Sequence, residues 1–151
     1  MDKNDILTAA ALRIINDEGD YDEDGNKTAD GIKDLVDDMR VIKGPRKPEN
    51  VDEAITINLP SFPKNPDTTQ YNGTMLINYY YPNYSSGNAN VEQLTPVAAR
   101  IDDLFHDDLL DIDGYKNYNL ATNEPLGPLY DPDDPEEHFM SVRINIGIIE
   151  E

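Results

Sequence analysis

The segment MSVRINIGII, residues 140–149, places Met140, Val142, Ile144, Ile146 and Ile148 on one side and Ser141, Arg143, Asn145 and Gly147 on the other, without a break. Successive side chains of a strand point to opposite faces, so this pattern demands a strand with one face in a core and the other toward water. A chain holding such a strand must also supply partner strands and a layer that covers the apolar face.

Both are legible. Ile55, Ile57 and Leu59 alternate with Thr56 and Asn58, and GTMLINYYY, residues 73–81, puts Met75, Ile77, Tyr79 and Tyr81 on one face. The turn-rich SFPKNPDTTQYNG between these runs predicts a long hairpin. A weaker strand is expected over YKNYNLA, residues 115–121. The covering layer comes from apolar residues at helical spacing. Ile6, Leu7, Ala10, Ala11, Ile14 and Ile15 predict a helix over 3–17; Ile32, Leu35, Val36 and Met39 predict a shorter one that ends before Gly44-Pro45. Leu94, Val97, Ala98, Ile101, Leu104 and Phe105 predict the longest helix, spanning 91–108 with Pro96 near its start. Residues 44–53 read as an exposed connection, and 60–72, 82–90 and 122–138 as long loops. The expected fold is therefore α+β, an antiparallel β-sheet of about four strands packed on one face by two or three helices. One domain is expected over 1–151, with a helical N-terminal part over 3–40 and the sheet and long helix over 51–149.

Charge narrows the function classes. The 31 acidic residues against 12 basic ones give a formal charge of −19, which repels nucleic acid and anionic membrane surfaces. A sequence-reading nucleic-acid binder is not expected, and no apolar run approaches the roughly 20 residues of a membrane-spanning helix. The charged, helically patterned N-terminus reads as mature structure, not as a signal peptide. The chain has no cysteine, so disulfides and thiolate zinc sites are excluded. His106 and His138 have no zinc spacing, and the acidic runs DDLLDIDG and DPDDPEE read as solvated surface. No phosphate-binding glycine loop and no nucleophile elbow occurs, so an enzyme is not expected.

One motif carries a specific chemistry. In DYDEDGNKTADG, residues 20–31, Asp20, Asp22 and Asp24 occupy positions 1, 3 and 5 of a calcium loop, with Gly25 at position 6 and Asn26 at position 7. Gly31 stands where the bidentate glutamate belongs, and Lys27 at the usually apolar position 8. Two readings stay open: a solvated helix-to-helix turn, or a weak calcium site built by Asp20, Asp22, Asp24, Asn26 and Asp30, with Asp34 as a substitute ligand. The second makes the chain a calcium-binding protein-interaction module; otherwise no cofactor is required. Nine tyrosines, with Tyr79, Tyr80, Tyr81 and Tyr84 around one strand, fit either cross-strand packing or a protein interface.

The order of ILTAAALRIIND, KPENVDEAITINLP, GTMLINYYYPN, ARIDDLF and EEHFMSVRINIGIIEE resembles that of the small head-tail joining and tail-completion (terminator-type) proteins of tailed bacteriophages. The likeness covers almost the whole chain in short pieces; the acidic loop at 17–31 and the insertion NEPLGPLYDPDDPEE depart from it. The resemblance implies a structural virion protein of the neck or tail, made in the host bacterial cytoplasm. It would form a hexameric or dodecameric ring with itself, next to portal, connector or tail proteins, and let DNA pass without sequence-specific binding. Tyr79, Tyr81, Pro82 and Tyr84 are then the subunit-interface candidates.

Overall fold

In the computed structural model, which describes residues 2–106 and 109–150, the chain begins with α1 (Lys3–Ile15) and a small hairpin, β1 (Gly19–Tyr21) and β2 (Lys27–Asp30). It continues through α2 (Ile32–Leu35), β3 (Val41–Lys43), β4 (Ala54–Asn58) and β5 (Gln70–Pro82). Then come α3 (Val91–Phe105), β6 (Tyr115–Thr122), β7 (Leu126–Tyr130) and β8 (Glu137–Glu150). β1 and β2 pair only with each other, and the main sheet has the order β3-β4-β5-β8-β6, with β7 also beside β8.

The alternation that defines β8 sets the layers. Rows of paired residues cross the sheet: Ile57, Ile77 and Val142 in one, Ile55, Tyr79 and Met140 in the next. All six are buried, in one cluster with Ile6, Ala10 and Ile14 of α1 and Leu94, Val97, Ile101 and Phe105 of α3. Full burial of each such aliphatic or aromatic side chain contributes about 1.5–3 kcal/mol. The intervening rows, Thr56-Asn78-Ser141 and Asn58-Leu76-Arg143, lie on the face away from the helices. Helix starts are fixed by side-chain caps: Asp2 Oδ1 accepts from Asn4 N at 2.8 Å, and Asn90 Oδ1 from Gln93 N at 3.2 Å.

The α+β class and the one-sided helical layer agree with the sequence expectation; about four strands does not. The main sheet has six strands, and the N-terminal hairpin adds a separate pair. The helix expected through Met39 is a single turn, because Val36 is already extended at φ −111° and ψ 121° and Val41–Lys43 pairs parallel to Ile55–Ile57. Helical spacing over so short a run is also met by one turn followed by an edge strand whose apolar residues reach the same core. β7 lies inside what reads as a loop at 122–138, and all five of its residues are exposed, so no periodicity marks it. β6 pairs with residues 144–150 of β8 and β7 with 138–141, so two short strands share one edge of β8. The first helix stops at Ile15, short of 17, and α3 at Phe105; Asp107 and Asp108 of its expected end lie outside the described residues.

Candidate functional site

The acidic segment 20–31 is a β-hairpin and not a helix-to-helix turn. Its ends pair as β1 and β2 around a tight turn in which Asp22 N donates to Asn26 O at 2.9 Å and Gly25 N to Asp22 O at 3.1 Å. Gly25 has φ +82°, the left-handed conformation that closes a three-residue hairpin loop. Asp22 Oδ1 accepts from Asp24 N and Asn26 N, while Asp20 turns away toward α3. Asp34 accepts from Gly31 N and pairs with Lys27 at 2.7 Å. Asp24, Asn26 and Asp30 lie in the turn and on β2, and Asp20 is held elsewhere. Among the described residues, no group of three or more His, Cys, Asp or Glu is placed to hold a metal ion. The Gly31 that is wrong for calcium is what the hairpin needs, since a Cβ there would overlap Gly19 N and Asp17 O at the hairpin base.

Asp20, itself exposed, belongs to a clamp whose centre, Arg100 and Asp17, is buried. Arg100, in the middle of α3, donates through Nε and Nη2 to Asp17 at 2.8 and 2.7 Å, and through Nη1 and Nη2 to Asp20 at 2.8 and 3.2 Å. Asp17 also accepts from Ile32 N at 2.8 Å and Gly19 N at 3.2 Å. Burial pushes the Asp17 carboxyl up, but the bond from Arg100 and the two amides outweigh it and hold it below the ordinary range. The Arg100 bond likewise lowers Asp20, and the guanidinium is raised first by its bonds to Asp17 and then by those to Asp20. The clamp ties the hairpin and α1 to α3. Its sequence signal is that Arg100 is the sole basic residue of α3 and flanks the apolar stripe.

Tyr79 is a core residue, not surface. It is fully buried; its hydroxyl donates to Glu53 Oε2 at 2.5 Å and accepts from Gln93 Nε2 at 3.0 Å, while Glu53 Oε1 accepts from Asp38 N. Burial, then the Glu53 carboxylate, pushes the phenol far up. The alternation that put Tyr79 on an apolar face is thus the core's own pattern. Tyr81 and Pro82 are half-buried at the end of β5, and Tyr84 is exposed. His106 Nδ1 lies 3.1 Å from Thr122 Oγ1 and His138 Nδ1 2.6 Å from Asn83 Oδ1.

The face away from the helices carries a cavity of about 720 Å³ between the 44–49 connection and the 131–137 loop. Its floor is Asn78 and the stacked rings of Tyr80 and Phe139, 4.9 Å apart at 28°. Lys47 and Glu137 meet there at 3.0 Å with both side chains buried, and Asp134 lies 3.9 Å from the same ammonium. Lys47 Nζ also donates to Val51 O. Burial, reinforced by Asp131 and Asp134 and opposed by Lys47, pushes Glu137 up to about 7. Asn78 Oδ1 is buried without a partner. Glu49, Asp131, Asp133, Asp134 and Glu137 outnumber Arg46 and Lys47 in its lining, so the cavity carries a surplus of carboxyl groups. Sequence reading missed Lys47 and Glu137, since neither the flanking prolines nor the acidic run marks them as buried.

No protein-family model matches this sequence, and no curated protein is significantly similar to it. Twelve solved chains are similar in structure. One, from a protein that bears no functional name, is 20% identical over 74% of this chain and 79% of its own, with a TM-score of 0.41, a likeness that carries no argument.

Proposed function

We propose that this chain is a non-enzymatic structural protein of a tailed-phage neck or tail, which closes a ring with copies of itself and lets DNA pass through it. The observation that carries the reading is the one-sided build of the subunit. Helices cover one face of the sheet, the 44–49 connection and the 131–137 loop lie over part of the other, and the broken β6/β7 edge is left open, with Leu126, Leu129 and Tyr130 exposed on β7. A head-to-tail ring needs two different surfaces on each subunit, and an open edge on one side with extended loops on the other meets that need. Tyr84 and the β7 residues are the interface candidates in this reading; Tyr79, enclosed by its own subunit, is not. The formal charge of −19 suits a channel wall, because carboxylates do not hold passing DNA by ion pairing.

Quantitative peptide counting on purified particles from the source, set against the soluble lysate, tests this. Recovery at about six or twelve copies per particle supports a closed ring. Absence from particles removes the reading.

A further inference from the structure

The segment GPRKPEN, residues 44–50, lies over the face of the sheet away from the helices and has little to hold it there. Pro45 and Pro48 have no N–H to give, and among the described residues the only backbone hydrogen bond made by 45–50 is the local one from Val51 N to Pro48 O, at 3.2 Å. Its two ends are fixed. Gly44 N donates to Ile57 O at 2.8 Å, and Val51 is buried. Gly44 has φ +146°, a conformation that side chains rarely adopt, and a Cβ there would meet nothing within 4 Å, so backbone freedom and not packing sets the turn that begins the segment. Between the ends, a charged contact pins the segment down. Lys47 Nζ lies 3.0 Å from Glu137 Oε1 and 3.9 Å from Asp134 Oδ2, and the Lys47 and Glu137 side chains are both buried. The ammonium directs its hydrogen bond to Val51 O, so Glu137 Oε1 has a charge beside it but no well-aimed donor.

The pin is sensitive to protonation. Glu137 is faced by Arg46, Lys47 and Glu49 of the segment, by Asp131, Asp133 and Asp134 of the loop before it, and by the Tyr80 hydroxyl of β5. Burial disfavours its ionised form more than Lys47 favours it, and Asp131 and Asp134 add to the effect, so the carboxyl is pushed up to about 7. Lifting the segment withdraws Lys47, lets water reach Glu137 and returns the carboxyl toward its ordinary 4.5. The pinned form thus keeps a proton that the lifted form releases between these values, and pinning weakens as pH rises. We propose that residues 45–50 are a pH-gated strap, hinged at Gly44 and pinned by Lys47 to Glu137, which lies closed in acid and lifts from the sheet as pH rises. The assignment stands apart from the ring reading, because it rests on the hinge and the pin alone.

Lys47 itself reports on the strap, because its ammonium is buried when pinned and open to reagents when lifted. The full chain is acetylated briefly with N-hydroxysulfosuccinimide acetate at pH 6, 7 and 8, and the Lys47 adduct is divided by that of the exposed Lys116, so that the ordinary pH dependence of amine acylation cancels. The ratio should rise about tenfold from pH 6 to pH 8. Glu137→Gln, which keeps the shape of the neutral carboxyl, should hold the ratio low and flat. Gly44→Ala, which strains the closed hinge, should raise it at pH 6. Amide exchange in β8, corrected for its intrinsic rate, should not follow the Lys47 ratio. The proposal is overturned by a ratio that does not change with pH in the native chain, by a rise that survives Glu137→Gln, or by a ratio that Gly44→Ala leaves unchanged. Exchange in β8 that rises in step with Lys47 labelling also overturns it, since the whole fold and not a strap would then be opening.

Discussion

Two buried cation–carboxylate pairs lie in different layers of this molecule and behave in opposite ways. At the Arg100 clamp, two carboxylates share a forked guanidinium, and Asp17 gains two backbone amides as well, so its carboxyl is held below the ordinary range. At the Lys47 cavity, a point-charge ammonium serves Glu137 and Asp134 at once, with Asp131 close by, and Glu137 is pushed up to about 7. Burial penalises charge in both places; what differs is the number of donors per carboxylate. The saturated pair is a fastener between elements, and the unsaturated one leaves Glu137 short of donors.

The comparison breaks most visibly at Arg100. Arg100→Met leaves Asp17 buried without its partner and should cost about 3–5 kcal/mol in urea unfolding. Because the folded-state Asp17 pKa is lowered, its stabilisation is complete above the unfolded carboxyl value and is lost as pH falls through the folded value. Acid titration of stability should therefore be steep in the native chain and shallower in the variant; equal slopes would mean that the clamp does not fasten the fold. Gly31→Ala, which forces a Cβ onto the backbone at Gly19 and Asp17 beside the clamp, should cost about 1–3 kcal/mol.

Lys47→Met is expected to cost less than Arg100→Met, about 1–3 kcal/mol at pH 8, and less still at pH 6, where Glu137 answers the loss by taking a proton. Glu137 has the opposite linkage to Asp17. Its folded pKa is about 7 against an ordinary value of 4.5, so between these pH values the folded state keeps a proton that the unfolded state releases, and stability falls as pH rises. Glu137→Gln should flatten that slope in pH-dependent melting; a slope that survives the substitution would place its origin elsewhere. The smallest effect concerns calcium. With Asp20 held by Arg100, millimolar calcium is expected to leave Tm unchanged, and a clear rise would show that the clamp opens to make a cation site.

Much of the fold was legible from periodicity. β8, the β4–β5 hairpin, α1 and α3 are each long enough for a period of two or 3.6 to repeat, and each lies where its pattern puts it. The failures share a cause: too few residues, or no buried face. α2 is one turn, β3 has three residues, and β7 is exposed throughout, so none carries a period to read. The acidic loop misled for another reason. Asp, Gly and Asn suit a helix-to-helix turn and a tight β-turn equally, and Arg100, 80 residues from Asp20 in sequence, holds the hairpin in place. Tyr79 read as an interface candidate because a tyrosine's body and hydroxyl suit a surface and a satisfied core alike; Glu53 and Gln93 decide for the core.

By itself, the sequence determined the α+β class, the one-sided sheet, the residues of the main core and the surplus of negative charge, because these follow from local periodicity and from summed composition. Tertiary structure alone decided which carboxylates are fastened and which stand over an open cavity. That depends on donors brought from distant segments, Arg100 to Asp17 and Lys47 to Glu137, and hydrogen-bond saturation is a property of the assembled neighbourhood, which no local pattern encodes.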